Sequence, residues 1–114
     1  MVCHHYVMDM ATVLLVRHGR TEANEKGILA GTAPGIKLDS RGAEQAVALA
    51  EQLSGLEVSA LISSPLERTM QTAQSLATTL VGTSGGPLEV STESALAECE
   101  YGDWTGRSLS ELAQ

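Results

Sequence analysis

Strand-like and helix-like segments alternate along this sequence, and their order constrains the fold more than any other feature. Residues Thr12–Arg17 (TVLLVR) form an apolar, β-branched run that ends at His18, which is typical of a buried parallel strand. Residues Val58–Ile62 predict a second buried strand, and Leu88–Ser91 a short third one. Because helix patterns separate these runs, the sequence predicts an α/β domain with a parallel sheet and right-handed crossovers.

Two helices are predicted from apolar spacing and start signals. The first begins with Asp39 or Ser40 as its N-cap. Its apolar positions recur every three or four residues: Ala43, Ala46, Val47, Ala50 and Leu53. In the second, Ser64 is the expected N-cap, Pro65 the first helical residue and Glu67 the capping-box partner. Each helix therefore connects two of the predicted strands.

The two ends of the chain fall outside this pattern. Residues 1–11 form an N-terminal extension, for which disorder and a start-site artefact, with Met8 or Met10 as the true start, both stay open. Near the other end, Ser108-x-x-Glu111 is a second capping box, but the sequence stops at Gln114 after about one and a half turns. We therefore expect a truncation after residue 114.

Charge and composition exclude several classes of function. A net charge of −7 with seven Lys and Arg residues argues against nucleic-acid and membrane-surface partners, which recruit clustered cations. Cys3 and Cys99 have no disulfide spacing, and no apolar run is long enough for a leader or a span, so a cytoplasmic location is expected. His4 and His5 lie beside Cys3, but adjacent residues rarely close a tetrahedral site, and no metal or other cofactor is predicted.

The candidate chemistry lies where predicted strands end. Arg17 and His18 close the first strand and Arg68 follows the second, so all three are expected at the ligand-binding edge of the sheet. Two arginines should lower the pKa of the histidine between them and keep it neutral and nucleophilic. The loop after the third strand carries Glu98 as the favoured proton donor. Two other acids in that loop compete for this role: Glu100 and Asp103.

The polar, turn-rich stretch Gly19–Lys37 after the first strand predicts a long functional loop. It also begins the first of three motifs, LLVRHGRTEAN, SSPLERTMQTA and LAECEYGDWTG, that resemble the histidine phosphatase superfamily, the phosphoglycerate mutase-like proteins. The resemblance implies a three-layer fold with a parallel sheet, and assigns residues 12–114 to the N-terminal half of a single histidine phosphatase domain. The family's second catalytic histidine has no counterpart in these 114 residues.

Residue by residue, the resemblance makes His18 the phosphorylated nucleophile and Glu98 the proton donor, with Arg17 and Arg68 as the phosphate clamp. It also implies further substrate contacts, at Thr21, Asn24, Ala30, Gly31 and Tyr101. Arg20 departs from the Glu or Gln usual after Arg-His-Gly, which leaves the leaving-group contacts at that position open.

The resemblance implies a cofactor-independent phosphomonoesterase that acts on a phosphorylated small molecule through phosphohistidine. Ala23 before Asn24 and the acid loop Ala-Glu-Cys-Glu-Tyr favour a phosphatase over the alternative, a phosphoglycerate mutase. A non-catalytic phosphate-binding or interaction module is a third alternative.

In the family, a later strand lies between the two strands predicted here at Thr12–Arg17 and Val58–Ile62. Without it, those strands are expected either to pair directly or to leave unpaired edges, which recruit other chains. We therefore expect the 114-residue chain alone to be inactive, and to form homodimers or aggregates through exposed sheet edges.

Overall fold

The computed structural model describes the backbone of residues 3–8 and all of residues 11–114. It contains six strands and four α-helices, with pairs of strands separated by one or two helices, and 3₁₀ turns at Ser94–Leu96 and Gly102–Trp104. The strands are β1 Cys3–Met8, β2 Ala11–Val16, β3 Glu57–Val58, β4 Leu61–Ser63, β5 Val81–Gly82 and β6 Val90–Thr92. The helices are α1 Glu22–Lys26, α2 Ser40–Gln52, α3 Glu67–Ala77 and α4 Leu109–Leu112.

The strands associate as three separate pairs. Strands β3 and β5 are parallel, as are β4 and β6, and helix α3 lies between the members of the latter pair in sequence. These parallel pairs with intervening helices confirm the predicted α/β class. Strand β2 pairs with β1 in antiparallel register, Cys3 opposite Val16 and Met8 opposite Ala11. Within the described residues β2 and β4 do not pair directly.

The N-terminal strands differ from expectation in two ways. Residues 3–8 of the N-terminal extension form β1, a strand that the sequence did not predict; Met10, one candidate start, lies outside the described residues. Strand β2 was expected to be buried, but Val13 is 41% exposed and Leu15 51%. The apolar run predicted the strand correctly, whereas burial depends on what packs over it.

Helix boundaries show where local signals suffice. Asp39 caps α2 as predicted, because its carboxylate accepts from Gly42 N at 2.7 Å. Helix α3 begins later than expected, at Glu67, with Leu66 as the N-cap and no side-chain cap. The Ser64 hydroxyl pairs instead with the Thr69 hydroxyl, at 2.5 Å, so the predicted capping box is wrong.

A small aliphatic core lies between α2 and α3. Leu49 and Ala50 of α2 pack against Leu76 of α3, and Val16 of β2 and Leu61 of β4 contact the same cluster. Strands β2 and β4 therefore pack against the same core as both helices. This shared core fixes the position of the residues that follow each strand. None of the helices in the described part of the chain has the length and apolar character needed to cross a bilayer.

Candidate active site

His18 lies two residues after the end of β2, half-buried, and its ring is hydrogen-bonded to the backbone of the next residue. The Nδ1 atom is 2.6 Å from the carbonyl oxygen of Gly19. Because a carbonyl oxygen can only accept a hydrogen bond, we assign the proton of the neutral ring to Nδ1. The lone pair is then on Nε2, which makes no hydrogen bond to the described residues and can attack an electrophile.

The pKa of His18 is lowered from its ordinary value near 6.5, in the predicted direction. Burial of the ring is the largest cause, and the positive charges of Arg68 and Arg17 act in the same sense. The hydrogen bond to Gly19 and the charge of Glu98 oppose the shift. The cause predicted from the sequence, the charge of the two arginines, therefore contributes less to this shift than desolvation does.

Arg68 is a buried cation in the first turn of α3, only 2% exposed. Its Nη2 atom donates to the carbonyl oxygen of Gly31 at 2.7 Å and to Glu98 Oε2 at 3.2 Å. A buried guanidinium requires such partners, because an unpaired buried charge is strongly destabilising. Arg68 therefore joins the loop after α1 to the acid loop that carries Glu98.

The acid loop presents Glu98 with both carboxylate oxygens engaged. Oε2 accepts from Arg68, and Oε1 accepts from the Tyr101 hydroxyl at 3.0 Å. The two competing acids, Glu100 and Asp103, are exposed, as Glu98 is, but unlike Glu98 they make no side-chain hydrogen bond within the described residues. These contacts favour Glu98 among the three acids as the group that acts with His18.

The other residues predicted to contact the substrate differ in their exposure and in their hydrogen-bond partners. Arg17 is exposed but close enough to His18 to act on its pKa. Thr21 and Asn24 bond to each other in a capping box that starts α1, a helix missed in the predicted loop. Ala30 is half-buried and accepts from Ala33 N at 3.0 Å. Arg20 pairs with Asp39 at 2.7 Å, so its charge ties the loop to α2.

Three residues that were not predicted from the sequence support the nucleophile loop, the segment His18–Arg20. Thr72 Oγ1 accepts from Gly19 N at 3.1 Å, and Gln45 Oε1 accepts from Arg20 N at 2.9 Å. Gly42 lies in the first turn of α2, directly against the backbone of Arg20. Thr72 lies one helical turn after Arg68, and this spacing could have identified it from the sequence. No sequence pattern indicates a role for Gly42 or Gln45.

Gly42→Ala is expected to destabilise the protein, although alanine normally favours a helix by ~1 kcal/mol over glycine. The added Cβ would lie 1.9 Å from the carbonyl oxygen of Arg20, which is backbone and cannot rotate away. We expect a loss of about 1–3 kcal/mol in the free energy of unfolding, measured by urea denaturation. In the control Gly86→Ala, the nearest atom is 3.9 Å away, the Ser84 hydroxyl. Equal midpoints for the two variants would contradict the close packing.

No group of three His, Cys, Asp or Glu side chains in the described part of the chain could hold a metal ion. The site thus presents a neutral imidazole, two arginines and a carboxylate, a set suited to an oxyanion and to proton transfer.

A family model and individual relatives place this chain in the same protein family. Residues 13–114 match the model of the histidine phosphatase superfamily, branch 1. The chain is 33% identical over 103 residues to a 2,3-bisphosphoglycerate-dependent phosphoglycerate mutase of Thermoplasma acidophilum, covering 90% of this chain and 48% of that protein. It is 37% identical over 100 residues to the adenosylcobalamin/alpha-ribazole phosphatase of Escherichia coli, covering 88% of this chain and 46% of that one.

Solved structures agree. The alpha-ribazole phosphatase of Shigella flexneri superimposes with a TM-score of 0.73 at 35% identity, over 87% of this chain and 46% of that one. A phosphoserine phosphatase of Entamoeba histolytica, in complex with 3-phosphoglyceric acid, gives 0.66 at 32% identity, over 85% and 44%. The chain thus spans slightly under half the length of these relatives. With the family model matched from residue 13 to residue 114, the chain belongs to the histidine phosphatase superfamily, branch 1.

Proposed function

We propose that the protein containing this chain is a phosphomonoester hydrolase that acts through a phosphohistidine at His18. The carrying observation is that His18 has its Nε2 free while Arg17, Arg68 and Glu98 all lie close enough to influence its charge. This is the set that the reaction requires: a neutral nucleophile, cations for the phosphoryl oxygens, and a proton donor.

In the first step, Nε2 of His18 attacks the phosphorus atom and the bond from phosphorus to the ester oxygen breaks. Arg17 and Arg68 stabilise the negative charge on the transferring oxygens, a role worth several kcal/mol in such sites. Glu98 gives its proton to the departing oxygen, so the alcohol leaves neutral. The Nδ1–H bond to Gly19 helps to orient the ring.

In the second step, water attacks the phosphorus atom of phosphohistidine and the bond from nitrogen to phosphorus breaks. Glu98, now a carboxylate, takes a proton from that water, as microscopic reversibility requires. The products are inorganic phosphate and the regenerated neutral His18. No cofactor is needed for either step.

A phosphorylated small molecule is the proposed substrate. The phosphoserine phosphatase of Entamoeba histolytica has been solved in complex with 3-phosphoglyceric acid and, as a mutant, with phosphoserine, which supports this class. The relatives include both phosphatases and mutases. The acid loop Ala97–Tyr101 and Ala23 before Asn24 favour hydrolysis in this chain.

Rapid quenching of the complete gene product with a labelled aryl phosphate is expected to trap acid-labile phosphate on His18 alone. Because burial and the arginines lower the pKa of His18, phosphorylation should persist below the usual titration range of histidine and fail only as the pH falls through that lowered pKa. The measurement is mass-spectrometric mapping of the label at several pH values.

His18→Ala is the control and should trap nothing. Label on Ser63, Ser64 or an aspartate would refute the mechanism. A protein that isomerises phosphoglycerate, and barely releases phosphate from the aryl ester, would be a mutase instead.

A further inference from the structure

The carboxylate of Glu98 has two side-chain partners that differ in their availability during a reaction. Its side chain is 39% exposed and lies on a loop, so these contacts decide its orientation. Arg68 contacts Oε2 at 3.2 Å, and the Tyr101 hydroxyl donates to Oε1 at 3.0 Å. Among the described residues, no other side chain bonds to this carboxylate.

The contact from Arg68 is shared with the substrate in the proposed reaction. If Arg68 binds the phosphoryl oxygens, as proposed above, those oxygens compete with Glu98 for the same guanidinium. The hydrogen bond from Tyr101 avoids that competition, because its donor is a hydroxyl outside the guanidinium and it engages the other carboxylate oxygen. Tyr101 is therefore the partner that can keep Glu98 in place while substrate is bound.

Tyr101 itself is fixed by close packing against the loop after α1. An added Cβ at Gly31 would lie 2.8 Å from Cδ2 of the Tyr101 ring, so the backbone of Gly31 packs directly against that ring. Gly31 also has a φ of 53°, a left-handed conformation that favours glycine. The carbonyl oxygen of the same residue accepts from Arg68 at 2.7 Å. One glycine thus sets the relative position of the clamp and the tyrosine.

We propose that Tyr101 is a positioning residue for Glu98: its hydroxyl occupies Oε1 and leaves Oε2, the oxygen facing Arg68, to deliver the proton. This inference rests on the proposed function, and it gives Tyr101 a role different from the substrate contact that the family resemblance implies. A substrate contact would act on binding, whereas a positioning contact acts only through Glu98.

A double-mutant cycle across substrates of different leaving group tests this in the complete gene product. Tyr101→Phe should lower kcat roughly tenfold for alkyl phosphates and less than about twofold for aryl phosphates with acidic leaving groups, which need little protonation. In a Glu98→Gln background, Tyr101→Phe should have no further effect, because the group it positions no longer carries a proton. Glu100→Gln, in the same loop, is the matched control and should behave as wild type.

Losses from Tyr101→Phe that are equal across the substrates, or that persist in the Glu98→Gln background, would overturn the positioning role and restore the substrate contact. If Glu98→Gln itself shows no dependence on the leaving group, the acid assignment in the proposed function fails, and the positioning role fails with it. The two failures are therefore distinguishable.

A readout independent of activity is the titration of the phenol. The hydrogen bond to Glu98 and the negative charge of that carboxylate raise the pKa of Tyr101 above its ordinary value near 10.0. Carbon NMR of ring-labelled tyrosine should show this pKa fall towards the ordinary value in Glu98→Gln and stay raised in Glu100→Gln. An unchanged pKa in Glu98→Gln would overturn the inference.

Discussion

Arg68→Ala is expected to lower kcat/KM by about 10²- to 10³-fold, which corresponds to ~3–4 kcal/mol of transition-state stabilisation. The guanidinium is buried and its Nη2 lies between the Gly31 carbonyl and Glu98, so solvent screens its charge little. Without the guanidinium, the negative charge that develops on the phosphoryl oxygens loses a stabilising cation. Glu98 also loses one of its two side-chain contacts. Steady-state kinetics with an aryl phosphate would measure the loss.

Two comparison variants separate catalysis from folding in this experiment. Arg68→Met keeps most of the aliphatic packing and should be nearly as inactive as Arg68→Ala. Arg107→Ala removes an exposed cation paired with Glu111 and should leave kcat/KM within about twofold of wild type, because such surface pairs contribute little. Wild-type kinetics in Arg68→Met would exclude Arg68 from the phosphate clamp.

The 114-residue polypeptide alone is expected to self-associate and to show aryl phosphatase activity near background. Apolar side chains on its strands are exposed to solvent: Val13 is 41% exposed, Leu15 51% and Ile62 54%. Within the described residues β2 and β4 each have one strand neighbour, β1 and β6, so their other edges are available to another chain.

Light scattering across a concentration series would measure the association. Replacing Leu15 and Ile62 together by lysine should lower the apparent mass, since charges on exposed strands oppose edge pairing. Replacing exposed Ala48 of α2 by lysine is the control and should leave the association unchanged. A stable monomer that hydrolyses aryl phosphates at rates ordinary for an enzyme would refute this expectation.

Several features followed from short-range patterns alone. Asp39 capping α2 and Ser108 capping α4 could be predicted, because a cap depends on a side chain and a backbone N–H a few residues apart. The positions of His18 and Arg68 after strands could also be predicted, because the end of an apolar run marks the end of a strand. The three motifs, taken together, were enough to predict the family that the comparisons show.

Other features depended on contacts between segments far apart in the chain. The nucleophile loop is held by Thr72, whose hydroxyl accepts from the N–H of Gly19, 53 residues away in sequence. Burial of β2 could not be predicted, because it requires a covering element, and Leu15 is half exposed in its absence.

Local sequence determined which residues could carry the chemistry, whereas the tertiary structure decided how they are held. Gly42 contacts the backbone of Arg20, and Gly31 packs against the ring of Tyr101. No periodic pattern marks either glycine, because each is needed only where the neighbouring residue leaves no space for a Cβ atom. The hydrogen bond from Tyr101 to Glu98 spans three residues, but its role depends on Arg68, thirty residues from Glu98 in sequence. Such roles arise only when packing brings separate segments into contact, which no short-range pattern encodes.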